Sequence, residues 1–302
     1  MLSRLAESFY WIGRYLERAE ATARLLAEHY HLTVEDRSVS DDVAASVVLD
    51  ALSLSTESVS TPTELVRALL GEVGNPSTVI GSVAAARENA RSVRDAISGD
   101  VFESLNGAYL TLARGLTAAA SPGASMHRVI ERLMLVNGAI EWTMPRDEGH
   151  HFLSLGRALE RVDMTSRLLE VRHDLVWPDT GPVATLRSAA ALSAFLRTGE
   201  PPTGEAVRGF LVLDAAFPRS MLHSATEAED AVRRLQTLGG VDDIELVREV
   251  GLMRSRLEFA GMGRDPAYVD QLVHDTQVSG VAAGAATAEA YFRQAGTIVW
   301  SH

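Results

Sequence analysis

Sixteen residues near the start of this chain return in its middle. Residues 11–26 read WIGRYLERAEATARLL, and residues 154–169, 143 positions later, read SLGRALERVDMTSRLL. Nine of the sixteen pairs are identical: Gly13/Gly156, Arg14/Arg157, Leu16/Leu159, Glu17/Glu160, Arg18/Arg161, Thr22/Thr165, Arg24/Arg167, Leu25/Leu168 and Leu26/Leu169. Ordinary residue usage gives about one. Glu20/Asp163 adds a chemical match, and weaker echoes follow with one-residue slips. Pro76 answers Pro218, Glu88 and Arg91 answer Asp230 and Arg233, and Val136-x-Gly138 answers Val278-x-Gly280. Two tandem copies are expected, about 1–145 and 146–302. The connection Pro145-Arg146-Asp147-Glu148-Gly149 is too short to let them separate, so they are expected to pack together.

The copies are helical by their spacing. Leu5, Phe9, Ile12, Leu16, Ala19, Ala23, Leu26 and Tyr30 step by three or four, as one face of a helix does. Convincing strand alternation is scarce. Helices are expected near 3–35, 41–57, 62–71, 76–98, 100–118 and 123–144, with Ser3 as an N-cap and breaks at Pro62, Pro76, Gly99, Pro122-Gly123 and Pro145. The fold class that follows is all-α: a helical bundle of two pseudo-two-fold related copies of a roughly six-helix unit.

Composition removes several kinds of chemistry. Asp and Glu outnumber Lys and Arg by 40 to 28, for a formal charge of −12. A nucleic-acid binder or an anionic-membrane binder needs a basic footprint instead. No run of 18 apolar residues exists to span a membrane, and Arg4 and Glu7 interrupt any leader-like start, so a cytoplasmic protein is expected. The chain has no Cys, and all 28 basic residues are Arg. Thiolate, Schiff-base and Walker-lysine chemistry are therefore absent, and an anion must be gripped by guanidinium forks or helix N-termini. Gly-x-Ser-x-Gly and Gly-x-Gly-x-x-Gly are missing, and His29-x-His31 and His150-His151 do not share a helical face. Neither a metal nor a cofactor is expected, and the Gly-Ala run at 279–287 reads as close helix packing.

The candidate site lies in the repeated motif. On the first helix Gly13, Glu17 and Arg24 fall opposite the apolar stripe, Arg14 flanks them and Arg18 sits near the stripe's edge. A solvated face need not keep these residues twice. Glycine inside a helix costs about 1 kcal/mol against alanine, and keeping it twice implies close approach of a backbone or a ligand. The face is expected to be covered, and covered charges must be paired. Either Glu17 and Glu160 pair with arginines and clamp the copies together, or Arg14, Glu17, Arg18, Arg157, Glu160 and Arg161 line a cleft that holds a carboxylate or phosphate. On a second polar helix Arg87, Arg91, Arg94 and Asp95 fall at i, i+4, i+7 and i+8 and are expected to share a face, and Arg87, Glu88, Arg91 and Arg94 to contribute to that cleft. Glu17 and Glu160 are also the candidate general bases if the chain is an enzyme.

Three segments, LSRLAESFYWIGRYLERAEATARLL, ARENARSVRDAIS…FESLN and FPRSMLHSATEAEDAVRRL, resemble the bacterial alpha-E domain family over essentially the whole chain. The family takes its name from its helical character and its Glu-Arg motif, which maps onto Glu17-Arg18 and, through the repeat, onto Glu160-Arg161. The resemblance implies an all-helical protein working with a circularly permuted ATP-grasp ligase, often alongside a transglutaminase-like protein, in amide- or peptide-bond formation. This chain carries no ATP-grasp segment, so the ligase would be met in trans. The leading expectation is a non-catalytic partner of that ligase with an Arg/Glu-lined cleft for an anionic peptide or carboxylate. The alternatives are an amide- or peptide-processing enzyme using Glu17 or Glu160, and a purely structural bundle or homodimer with the Glu-Arg pairs zipped shut.

Overall fold

The first helix, α1 (Ser3–Glu35), has 33 residues, about 50 Å at 1.5 Å per residue. Eighteen of them are buried, far more than the single stripe of a surface helix, so α1 is covered on most of its circumference. It includes Ser3, so that serine opens the helix instead of capping it. This computed structural model describes residues 3–54, 59–71, 73–115, 122–239, 243–260 and 266–292, and among them every regular element is helical. No helix there is long and apolar enough to cross a membrane.

After α1 come α2 (Asp41–Ala51), α3 (Pro62–Leu70), α4 (Val79–Ser92), α5 (Gly99–Gly115) and α6 (Pro122–Thr143). Thr61 and Glu64 close a reciprocal capping box on α3, with Pro62 at its first turn. The expected helix 41–57 stops at Ala51. Ser53 takes a left-handed φ of 55°, and Leu54 N donates back to Leu49 O, so a serine fills the place where glycine ordinarily ends a helix. Residues 55–57 and 116–118 of the expected helices lie outside the described residues. The expected helix 76–98 is shorter and broken. Thr78 caps α4, and Val93 leaves helical geometry to bury itself before a single 3-10 turn, Arg94–Ala96.

Asp147 caps α7 (Glu148–Glu170) by accepting from His150 N at 3.1 Å. Four short helices follow, α8 (His173–Val176), α9 (Gly181–Ser188), α10 (Leu192–Leu196) and α11 (Gly204–Leu213). Three long ones close the chain: α12 (Met221–Thr237), α13 (Ile244–Phe259) and α14 (Pro266–Thr287), the last running into a π-helical turn, Ala288–Phe292. This stretch holds more and shorter helices than a second six-helix run. The Gly-Ala run lies within α14, where Ala283 is buried and Gly280 faces Val162.

Two rings of helices share the core. In one, α1 packs on α4 and α6, and α5 closes the ring; in the other, α7 packs on α12 and α14, and α13 closes it. The most extensive contact in the molecule joins the rings through α1 and α7. One continuous apolar cluster runs from Phe9 and Leu16 of α1 through Leu155 and Leu159 of α7 to Val250 of α13. Contacts advance together along α1 and α7, from Gly13 against Leu153 to Glu17 with Arg161, so the two helices lie side by side and parallel.

Candidate functional site

Where α1 and α7 cross, neither has room for a side chain. A Cβ on Gly13 would fall well inside contact distance of the Leu153 carbonyl, and one on Gly156 inside that of the Tyr10 carbonyl. One turn further on, the closeness brings the motif glutamates against the opposite helix. Glu160 is fully buried and accepts from Arg18 twice, Nε to Oε1 at 2.6 Å and Nη2 to Oε2 at 3.2 Å, and from Arg14 Nε. Glu17 is 1% exposed. Its Oε2 accepts from Arg161 Nε at 3.1 Å and Nη2 at 2.8 Å, and its Oε1 from Arg219 Nη2. Each carboxylate thus holds two guanidiniums, one of them bidentate or forked from the other long helix.

The outer shell is ordered too. Arg18 Nη1 reaches Pro76 O at 3.5 Å and Arg161 Nη1 reaches Pro218 O at 3.1 Å, which ties each motif arginine to the loop before α4 or α12. Arg161 also bonds Glu227 at 3.1 Å, and Arg219 bonds Glu20 at 3.1 Å. Glu20 takes Arg24 and Asn137; Asp163 takes Arg167 and Gln277. Burial alone would raise the pKa of Glu17, but the charges of Arg161 and Arg219 outweigh it and hold the carboxyl at about 2. Arg14 shows the converse. Burial disfavours its charge, the Glu160 carboxylate more than restores it, and the pKa is raised. Tyr10, buried and accepting from Arg14 Nη1 at 2.8 Å, has its phenol pushed up by desolvation.

Of the expected site residues, Arg14, Glu17, Arg18, Glu160 and Arg161 meet in this cluster. Arg157 does not. It turns outward to Glu141 of α6 at 2.8 Å, so Arg14 and Arg157, identical in sequence, have different partners. Arg87, Glu88, Arg91 and Arg94 also pair elsewhere. Arg87 bonds Asn106 at 2.8 Å and covers the Tyr109 ring, Glu88 and Arg91 pair at 3.0 Å in water, and Arg94 stacks on Phe102. The break at Val93 also takes Arg94 and Asp95 off the helical face of Arg87 and Arg91. Arg219 was not among the candidates. Its one sequence signal is its place directly after Pro218, the echo of Pro76.

A second buried polar group sits at the far ends of the two helices. His29 Nδ1 and His173 Nε2 are 3.2 Å apart, Thr185 Oγ1 lies 3.3 Å from His173 Nδ1, and Trp177 packs edge-on against His29. Burial lowers the pKa of His29 to about 4 and that of His173 to about 3, so both are neutral at pH 7. Among the described residues, no three His, Cys, Asp or Glu side chains gather as metal ligands would.

The sequence profile of the Alpha-E family, described as a predicted alpha-helical domain with a conserved ER motif, matches residues 1–292. The chain belongs to the Alpha-E family. Of its Glu-Arg dipeptides, Glu17-Arg18 and Glu160-Arg161 form the buried cluster, whereas Glu131-Arg132 is exposed on α6. This Alpha-E chain is 23% identical over 288 residues to the uncharacterized proteins Mb2597 of Mycobacterium bovis and Rv2567 of Mycobacterium tuberculosis, with 84% of this chain and 32% of each relative covered. The Alpha-E chain thus spans about a third of the length of the curated relatives it matches. No solved structure matches it.

Proposed function

We propose that this chain is a non-catalytic helical partner of an ATP-grasp amide ligase, and that its two Glu-Arg motifs form the clamp that gives the partner its shape. The saturation of both glutamates carries this reading. A general base must reach a substrate proton and have a pKa near the working pH. Glu17 is buried under two guanidiniums with its pKa near 2, and Glu160 is equally enclosed. Such a carboxylate holds structure and is poorly suited to proton transfer. Trp142 supports a docking role, since it is 89% exposed on α6 with Leu135 one heptad away on the same side. A ligase that consumes ATP places the pair in the cytoplasm.

The clamp also supports descent from a duplicated unit, with copies near 1–145 and 146–302. Its contacts come in exchanged pairs: Arg18 to Glu160 with Arg161 to Glu17, Pro76 O with Pro218 O, Gly13 with Gly156, and His29 with His173.

The test uses the full chain as bait in its host, then an amide-ligase assay with and without the chain. Capture of an ATP-grasp ligase whose rate changes on addition, with both effects weakened by Trp142→Ala, is the expected result. Capture of no such ligase, or a rate indifferent to the chain, would overturn the partnership.

A further inference from the structure

The two sides of the α1–α7 seam are not filled alike. On the Glu17 side, the Arg219 guanidinium lies between Glu17 and Glu20 and leaves a space of about 20 Å3, room for one water at most. On the Glu160 side, the chain passes Pro76 into Ser77 where the other side passes Pro218 into Arg219. The shorter side chain leaves a cavity of about 210 Å3 that opens beside the exposed Ser77.

The walls of this cavity are chemically uneven. Arg18 and Arg167 enter it, each side chain 23% exposed. Arg18 spends Nε and Nη2 on Glu160, while its Nη1 has only the 3.5 Å contact to Pro76 O. Arg167 spends Nε on Asp163 and Nη1 on Ala51 O and Ser53 Oγ; its Nη2 makes no hydrogen bond among the described residues. Thr22 and Ser77 add hydroxyls. The one carboxylate in the lining, Asp163, is already engaged by Arg167 and Gln277. The lining carries two guanidiniums, Arg18 and Arg167, and one carboxylate, Asp163, a surplus of one positive charge. Leu52, Leu54 and Met164 complete the cavity with an apolar wall.

We propose that this cavity binds a small monocarboxylate with an apolar body, of the size of an N-acylated amino acid or a peptide C-terminus. The spare nitrogens of Arg18 and Arg167 hold the carboxylate, and the leucines and Met164 hold the body. A dianion would overshoot the single surplus charge, and an ammonium would meet two guanidiniums. This deepens the partner reading by naming what the partner would present, but its test needs no ligase, so the two can fail separately.

The full chain is titrated in a calorimeter with N-acetyl-L-leucine, with its neutral analogue N-acetyl-L-leucinamide, and with inorganic phosphate. The acid is expected to bind saturably, and the amide about tenfold more weakly or worse, because a charge-assisted contact is lost. Arg167→Gln is expected to weaken the acid about tenfold. Ser77→Arg, which puts a guanidinium where Arg219 stands on the other side, is expected to abolish binding while the thermal melt shows an intact fold. If Arg167→Gln does not fold, Ser77→Arg decides the question. No saturable binding, equal binding of acid and amide, tighter binding of phosphate, or binding that survives Ser77→Arg would each overturn the proposal.

Discussion

The two motif glutamates, identical in sequence, are expected to differ in what their loss costs. Glu160→Gln removes the one carboxylate that Arg14 and Arg18 have among the described residues. Arg14 then keeps the Tyr10 hydroxyl, and Arg18 keeps the long contact to Pro76 O and the Tyr15 ring, with the neutral amide oxygen of the new glutamine as a shared acceptor. Both arginines are at least three-quarters buried, so two desolvated charges lose their counter-ion at once, at a cost of about 3–5 kcal/mol. Glu17→Gln is milder. Arg161 retains Glu227 at 3.1 Å and Arg219 retains Glu20 at 3.1 Å, so each guanidinium keeps a carboxylate and the loss is about 1–2 kcal/mol. Urea unfolding followed by circular dichroism, with the slope checked for constancy, measures both differences. Equal losses, or a larger loss for Glu17→Gln, would refute the assignment of partners on which the argument rests.

Gly13→Ala and Gly156→Ala should each destabilise the chain by more than about 3 kcal/mol, although alanine is the better helix former, because the new Cβ meets a backbone carbonyl that cannot move aside; stability at or above wild type would contradict the crossing geometry. Acid should weaken the fold before ordinary carboxylates titrate. His29 and His173 have folded pKa values near 4 and 3, below the unfolded 6.5, so the unfolded chain binds more protons and stability falls as the pH drops below 6.5. Each contributes roughly 2–3 kcal/mol of loss by pH 4.5, visible as a shift in urea midpoint that should shrink in His173→Leu. Below about pH 4.5 the unfolded chain also binds a proton at Glu17 that the folded chain, with that carboxyl held at about 2, does not take up, so stability falls further in the same direction until pH 2. Thr61→Ala should cost about 1 kcal/mol by opening the α3 capping box, read from the same melts.

Most of the architecture was legible because it rests on spacing. Helical periodicity and the Pro and Gly breaks place α1, α3 and α6 within a residue or two. The doubled Gly13/Gly156 signalled that a polar-looking face was covered, since only a close neighbour explains a glycine kept there twice. What spacing could not show was partner choice. Nothing in the repeat separates Arg14 from Arg157, yet one turns inward to Glu160 and the other outward to Glu141, because that choice depends on which neighbouring helix offers a carboxylate. The clustering of Arg87 to Arg94 suggested a cleft, but their partners on α5 decided otherwise. Ser53 ends α2 in a left-handed conformation that glycine would have advertised. Arg219 was hidden because its role comes from the turn after Pro218, far from the motif it completes.

The charges at the α1–α7 seam answer a question that apolar packing leaves open. Replacing a buried ion pair with hydrophobic residues is often neutral or stabilising, so the cluster's value to the fold is poorly measured by its energy alone. Its value lies in register. Two parallel helices lined with leucine and alanine can slide by one turn, about 5.4 Å, with little loss of apolar contact. Here a one-turn slip in one direction leaves Glu160 with Arg14 but sets Glu17 beside Thr165; in the other, Glu17 meets Arg157 and Glu160 keeps Arg18 in the place of Arg14 but has Thr22 where its forked arginine stood. The first slip strands Glu17, the second breaks the fork on Glu160, and both move Gly13 and Gly156 away from the backbones they admit. A stranded buried carboxylate costs several kcal/mol, comparable to the whole stability of many domains. The native register is the one in which both glutamates hold a forked arginine from the opposite helix while both glycines meet a backbone, and this reciprocity is what two copies of one Glu-Arg motif provide.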